Sequence, residues 1–389
     1  MNAPADITPL EQPAAVLTQR RRLTIGLPSC RQDRERRFPL TPEGATILTE
    51  RGFEIRMEQG AAAAIRYDDA RYERCGAIIT SRSEALACDI VISMAPLSVA
   101  DIRMLRRGAL LLTLLRTELQ TSAAIRELMR RHIIAIALDL ITDDDGNTPF
   151  ADILSEIEGR AAMTAAATML ADLDGGKGIL LGGIAGIIPC EVTVIGSGIA
   201  ARAVARAASG AGATVRMFDS NVYSLRRAAR DLGPWVITSA MHPNVLEHAL
   251  RSADVVVVTS FADTDLPVGS VETGVMKSGV VLFDISSKPG RMFPDIPLVD
   301  CFESSKKTPH VCHINAGATV PRTAAMAMTN CLTTMMAALS ECDGTANALR
   351  LLPGLQAAAY TFFGKEVNSE IAAVAGVRAV DINIFLTLS

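Results

Sequence analysis

Glu191-Val-Thr-Val-Ile-Gly-Ser-Gly-Ile-Ala-Ala-Arg202 decides how this chain is read. An apolar run, Val192 to Ile195, halts at Gly196-Ser-Gly198. A stretch of small residues follows, and then Ala213-Thr-Val-Arg-Met-Phe-Asp219. The pattern is strand, glycine turn, helix, strand, acid. Each part has a task if a dinucleotide is to be held. Gly196 permits the tight turn, Gly198 has no side chain to keep backbone away from a pyrophosphate, and Ala201 lets the helix lie close to the strand. The helix N-terminus offers free N–H groups and a partial positive charge to the phosphates. Asp219 follows the turn at about the ~20-residue distance expected of a ribose-binding acid. A carboxylate there accepts bonds from both ribose hydroxyls and repels a 2′-phosphate, which points to NAD(H) and away from NADP(H). Gly196, Ser197, Gly198, Ile199 and Ala201, with Asp219 and Asn221, form the expected cofactor-binding set. Asp284, after the apolar run 279–283, reads as a strand end of the same sheet.

Composition sets the frame. At 389 residues the chain exceeds one ordinary core, so two domains are expected. Hydrophobic content of 49% allows a large core, and a net charge of −4 leaves neither sign dominant. Aromatics make up only 4%, too few for a base-stacking surface, so no nucleic-acid partner is expected. Residues 1–21 lack a basic segment followed by an apolar one and read as a disordered tail, not a signal peptide. The most apolar stretch, Ile179 to Val194, is interrupted by Gly182, Gly183, Gly186 and Pro189, so no membrane span is expected. Eight cysteines are scattered with no Cys-x-x-Cys, which fits reduced thiols in the cytoplasm.

Arg22 to Pro28 predicts an opening strand. Thr41-Pro-Glu-Gly44 predicts a helix start, with Thr41 as cap and Pro42 in the first position, and the helix runs to Gly52. Phe53 to Met57 alternates like a strand, and Tyr67 to Cys75 predicts a helix. Buried strands are predicted at 89–93, 109–115 and 133–137. Strand and helix alternate at the pace of a parallel sheet. A long Ala-, Met- and Leu-rich helix is predicted over 151–173, ended by Gly175-Gly-Lys-Gly178. Later strands fall at 235–237, 254–258 and 280–283, and a second long helix at 323–339. Two long helices flanking one nucleotide unit imply that the chain leaves the first domain and returns. The expected fold is α/β, two Rossmann-like doubly wound domains with a cleft between them. The expected division is a discontinuous substrate domain, 22–150 plus 322–389, and a dinucleotide domain, 151–321.

Three segments resemble the alanine dehydrogenase and transhydrogenase alpha-subunit family. They are Ile25-Gly-Leu-Pro28 with Glu35-Arg-Arg37 and Leu40-Thr-Pro42; Ser155-Glu-Ile-Glu-Gly-Arg160 through Gly186; and His310 to Thr323. The resemblance covers nearly the whole chain after the tail. It implies an NAD(H)-dependent oxidoreductase acting on an amino or keto acid or on an imine formed from them. It also implies a homo-oligomer, a dimer or a hexamer. The Asp219–Asp254 interval is short, closer to the amino-acid dehydrogenases than to transhydrogenases, which carry an insertion there. An opine-type condensing enzyme and a nucleotide-binding protein without turnover are the alternatives.

The resemblance also assigns the site. An arginine in the first loop, here Arg37, pairs with the substrate carboxylate through a fork that guanidinium suits. A lysine after the 89–93 strand is absent, since the segment reads Ile92-Ser-Met-Ala-Pro96. The general acid/base histidine is replaced by Arg116, which does not titrate near neutrality. An aspartate after Asp284 is replaced by Lys288. The expectation is a strongly cationic pocket of Arg37, Arg116 and Lys288 for a more anionic substrate. Lys288, its proton loosened by neighbouring arginines and burial, and His313 are the candidate proton donors. Asn315 is expected near both nicotinamide and substrate. Glu156 and Arg160 are expected to pair across the domains or act at a hinge. His310-x-Cys312-His313 is too tightly spaced for a structural zinc, and no metal is expected.

Overall fold

In a computed structural model, the structure describes residues 22–32, 34–261, 273–302, 311–341 and 352–387. The strands are β1 (Thr24–Leu27), β2 (Glu54–Glu58), β3 (Ile78–Thr80), β4 (Ile90–Ser93), β5 (Leu110–Thr113), β6 (Ile134–Ala137), β7 (Glu191–Ile195), β8 (Thr214–Asp219), β9 (Val236–Ala240), β10 (Val255–Val258), β11 (Val281–Asp284), β12 (Leu298–Asp300), β13 (Cys312–Ile314), β14 (Ala359–Phe362) and β15 (Lys365–Glu366). They form two sheets, ordered β15-β14-β6-β5-β4-β1-β2-β3 and β12-β13-β11-β10-β7-β8-β9. Every pairing is parallel except those of the hairpin β14–β15 and its seam with β6.

Parallel strands covered on both faces read as continuous apolar runs, because neither face meets water. β4, β5, β6 and β10 are buried along their whole length, as the runs at 89–93, 109–115, 133–137 and 254–258 imply. Each sheet has a core on each side. Ile25, Ile92, Leu112 and Ile136 face one core of the first sheet, and Val91, Leu111 and Ala135 face the other. Val192, Val194 and Val257 face one core of the second sheet, and Ile195, Val256 and Val258 the other. This is the α/β architecture of two doubly wound, Rossmann-like units that the sequence implies. β3, β12, β13 and the β14–β15 hairpin were not legible as strands. They are two to four residues long, too short for an alternating pattern to register.

Two long helices pack on these cores, and one of them serves both sheets. The helix Pro149–Ala171 sends Phe150 and Leu154 into the first-sheet core and Ala162, Met163, Ala166 and Leu170 into the second. Gly159 lies between, where a Cβ would collide with the carbonyl oxygen of Ala200, so this helix packs tightly on the one that follows the glycine turn. The helix Pro321–Glu341 places Ala325, Met328, Leu332 and Met336 against the first core. Its chain then reaches β14, which pairs with β6. The tail 1–21 lies outside the described residues.

In each sheet the winding direction reverses between two strands: β1 and β4 in the first, β7 and β10 in the second. The loops leaving the C-terminal ends at such a point splay apart and leave a crevice for ligands.

Candidate active site

At the crevice of the second sheet, β7 ends in the glycine turn. Gly196 has φ +103, and a Cβ there would run into Thr259 Oγ1 at the end of β10. That backbone conformation and that close approach both require glycine. Gly198 begins the helix Ile199–Gly210, which has no side-chain cap, and a Cβ on Gly198 would meet nothing within 4 Å. An uncapped helix start facing open space suits an anion. Ala201 is fully buried beneath it. Asp219 ends β8; its Oδ2 accepts from Ser197 Oγ at 2.6 Å and its Oδ1 from the Asn221 amide at 2.8 Å. The side chain of Asn221 accepts from Ser224 N at 3.0 Å and caps the helix Val222–Leu232. Ser197 and Asn221 thus act through Asp219 and the helix start. These residues fit a dinucleotide: an open backbone cradle for phosphate and a braced carboxylate for ribose.

At the crevice of the first sheet, the loop after β1 carries Arg34 to Arg37. Its far end is pinned by Phe38, edge-on to Tyr72 at 6.2 Å, and by Leu40, whose carbonyl accepts from Tyr72 Oη at 2.6 Å. Arg37 is 8% exposed, and one edge of its guanidinium is already paired. Nε donates to Glu35 Oε1 at 2.8 Å and Nη2 to Glu35 Oε2 at 2.5 Å. Burial works against the Arg37 charge, but the Glu35 carboxylate outweighs it and holds the guanidinium pKa above its ordinary value. Arg116, after β5, lies 3.7 Å from the same Glu35 and 2.5 Å from Glu118. It adopts φ 39, an uncommon left-handed conformation for a side chain of this size.

The expected all-cationic pocket is therefore corrected. Glu35, 6% exposed, sits between the two arginines and offsets them. Lys288 is exposed in the loop after β11, not buried beside them. Ser93, at the end of β4, donates to the Ala95 carbonyl at 2.7 Å and occupies the stretch that lacks a lysine. Asp284 ends β11 as expected; burial raises its pKa, and its oxygens accept from Ser286 and Gly290.

The two crevices meet at one seam. Arg34 Nε lies 2.9 Å from Asp300 Oδ2, and Arg36 stacks over Phe302 at 4.1 Å. Asn315, at φ 60, donates to the Arg34 carbonyl at 2.5 Å and to Asp300 Oδ1 at 3.2 Å. His313 lies within β13, not in a loop. It packs on Phe283 at 5.4 Å, its Nδ1 is buried without a hydrogen-bond partner, and burial holds its pKa down. Glu156 and Arg160 pair with each other at 2.7 Å one helical turn apart, so they do not join the domains. The seam residue of that helix is Glu158, which accepts from the Gly317 amide at 2.9 Å. It lies on the apolar stripe of Leu154, Ile157 and Ala161, a position from which sequence could have read it as inward-facing. A cavity of about 400 Å³ between the long helices meets the glycine turn only at Ile199 and contains none of these arginines. Among the described residues no metal-ligating group of three forms, and no helix is long and apolar enough to cross a membrane. His310 lies outside the described residues.

Known proteins match along this whole arrangement. The model for the alanine dehydrogenase/PNT N-terminal domain matches residues 26–161, and that for the C-terminal domain residues 162–369. Alanine dehydrogenase of Mycobacterium tuberculosis is 30% identical over 372 residues, 91% of this chain and 97% of the relative. Alanine dehydrogenase of Geobacillus stearothermophilus is 29% identical over 317 residues, 79% and 85% respectively. Among solved structures, an L-alanine dehydrogenase superposes with a TM-score of 0.78 at 23% identity, covering 90% of this chain and 99% of that one. A transhydrogenase from Sinorhizobium meliloti gives 0.71 at 18% identity, covering 89% and 99%. At such identities the structures speak for the fold, whereas the sequence matches speak for descent. The chain belongs to the alanine dehydrogenase/PNT family.

Proposed function

We propose that this protein is an NAD(H)-dependent oxidoreductase acting on an amino or keto acid, or on the imine formed from the two. The observation that carries the reading is the braced Asp219 beside the open, uncapped helix start at Gly198. Family membership supports it, since the relatives matched are alanine dehydrogenases. The nucleotide unit is 151–321 and the substrate unit 22–150 plus 322–389. When bound, the dinucleotide supplies the hydride chemistry, and the protein supplies orientation and charge. Gly196, Gly198, Ile199 and Ala201 shape the phosphate cradle, and Asp219, set by Ser197 and Asn221, takes the ribose. With Arg37 tied to Glu35, the more exposed Arg116 is the cation that would exchange its Glu35 and Glu118 partners for a substrate carboxylate. Asn315 orients the seam above it. The protein works in the cytoplasm and as a homo-oligomer, and the apolar loop of Leu180, Ile184, Ile187 and Ile188, which are 57–88% exposed, supports the oligomer.

A nucleotide-binding protein without turnover is the second reading, favoured by the internal pairing of Arg37. Titration calorimetry with NADH and NADPH, followed by a screen of keto acids with and without amines, separates the two. Heat with NADH and oxidation with some keto acid support the enzyme. Heat with no oxidation supports the binder. No heat removes both. Asp219→Ser should relax the discrimination against NADPH by about tenfold, roughly 1.4 kcal/mol. Unchanged discrimination would remove Asp219 from the ribose.

A further inference from the structure

The chain has no histidine where its relatives' resemblance places the general acid/base, and Arg116 cannot exchange a proton there. Lys288 stands in solvent and His313 is enclosed in a sheet. Of the carboxyls at the seam, Asp300 pairs with Arg34 and Glu35 with Arg37, and the third is Glu158. Glu158 projects from the helix Pro149–Ala171 between the two cores. Its Oε2 accepts from Gly317 N, and a Cβ on Gly317 would overlap that oxygen, so the loop two residues past Asn315 is shaped around it. Arg37 and Glu35 face it from the loop after β1, and Cys301 from the end of β12. Glu156 and Arg160 on its own helix turn outward and pair with each other.

We propose that Glu158 carries the proton exchanged with substrate in this cleft, in place of the missing histidine. The proposal rests on the oxidoreductase reading above. In the reducing direction, a reduced nicotinamide dinucleotide is the co-reactant. As hydride reaches the carbon of a C=O or C=N bond, the π electrons move onto the heteroatom. The heteroatom takes the proton of the Glu158 carboxyl. The carboxylate left behind regains a proton from solvent. In the oxidising direction each transfer is reversed.

Two physical facts favour this residue. Burial raises the Glu158 pKa above the ordinary carboxylate range, and Glu35 adds to the rise. Arg37 and the amides of Gly317 and Ala316 work the other way. A carboxyl in that balance exchanges protons nearer neutrality than an exposed one does, as general acid/base work requires. Its anchoring by backbone N–H groups also fixes where the proton sits.

The test is proton-linked binding. NADH-loaded protein is titrated with oxalate, a small dianion that mimics a keto-acid carboxylate, in two buffers of different ionisation heat near pH 8. A dianion beside Glu158 should draw a proton onto it, so wild type should take up close to one proton per site. Glu158→Gln keeps an acceptor for Gly317 N–H, and it should bind oxalate with no uptake. A structural role alone would not change the proton count. Equal uptake in both proteins, or none in wild type, overturns Glu158 while leaving the oxidoreductase reading intact. Failure of oxalate to bind wild type counts against that reading, and the Glu158 role falls with it. Should Glu158→Gln fail to fold, Glu158→Asp carries the test. It must shift the pH at which uptake is half-complete, and an unmoved midpoint overturns the proposal.

Discussion

The two crevices of this protein are built by different means. At the second sheet, backbone sets the shape: a glycine at φ +103, a helix start with no cap, and one carboxylate braced from both sides. At the first sheet, side-chain charges hold one another: Arg37 on Glu35, and Arg116 shared between Glu35 and Glu118. Backbone shape leaves a spacing in the sequence. Charge pairing leaves only a composition, and four arginines in one loop look alike until the fold chooses their partners.

The contrast can be broken most directly at Glu35. Removing it by Glu35→Ala leaves the buried Arg37 guanidinium without its partner, which costs about 3–5 kcal/mol. The midpoint of denaturant unfolding should fall accordingly, and an unchanged midpoint would mean that the first crevice is not held by its charges.

Next in size is a pH effect confined to the first half. Glu366, on the edge strand β15, is 2% exposed, and burial pushes its pKa up to about 8 against the Asn368 amide. A raised carboxyl contributes stability that is complete below its unfolded value near 4.5 and is lost as pH rises through about 8. Glu366→Gln does not titrate. It should match wild type at pH 5 and exceed it at pH 9 by on the order of 3 kcal/mol. Parallel melting curves for the two proteins across that range would contradict the assignment.

The smaller effects sharpen the other side. Gly196→Ala forces a side chain into a left-handed position and against Thr259, costing about 1–3 kcal/mol of stability. Gly198→Ala meets open space, so its melting temperature should hold, within about 0.5 kcal/mol. NADH affinity should nevertheless drop about tenfold, near 1.4 kcal/mol, because the methyl group keeps phosphate off the backbone. A Gly198→Ala protein with full affinity would place the phosphate elsewhere.

These differences explain what could be read in advance. The fold was legible because buried parallel strands write unbroken apolar runs, and Thr41-Pro42 writes a helix start that the structure keeps. The turn at Gly196 and the acid at Asp219 were legible because each demands one residue type. Arg37 was found but its partner was not, since Glu35 lies two residues away and nothing local says that the loop folds back on itself. Glu158 was hidden by its neighbours. Glu156 and Arg160 are the conspicuous charges of that helix, yet their spacing is that of an exposed pair on one face. The stripe Leu154, Ile157, Ala161 is the signal by which the residue between them could have been found.

The helix Pro149–Ala171 has one more consequence. Its first turns are packed with one sheet and its last turns with the other, with Gly159 pressed on Ala200 midway. Both sheets therefore pack on one continuous helix. Loss of packing in either half frays a strut the other needs, so the melting of the two halves should be coupled.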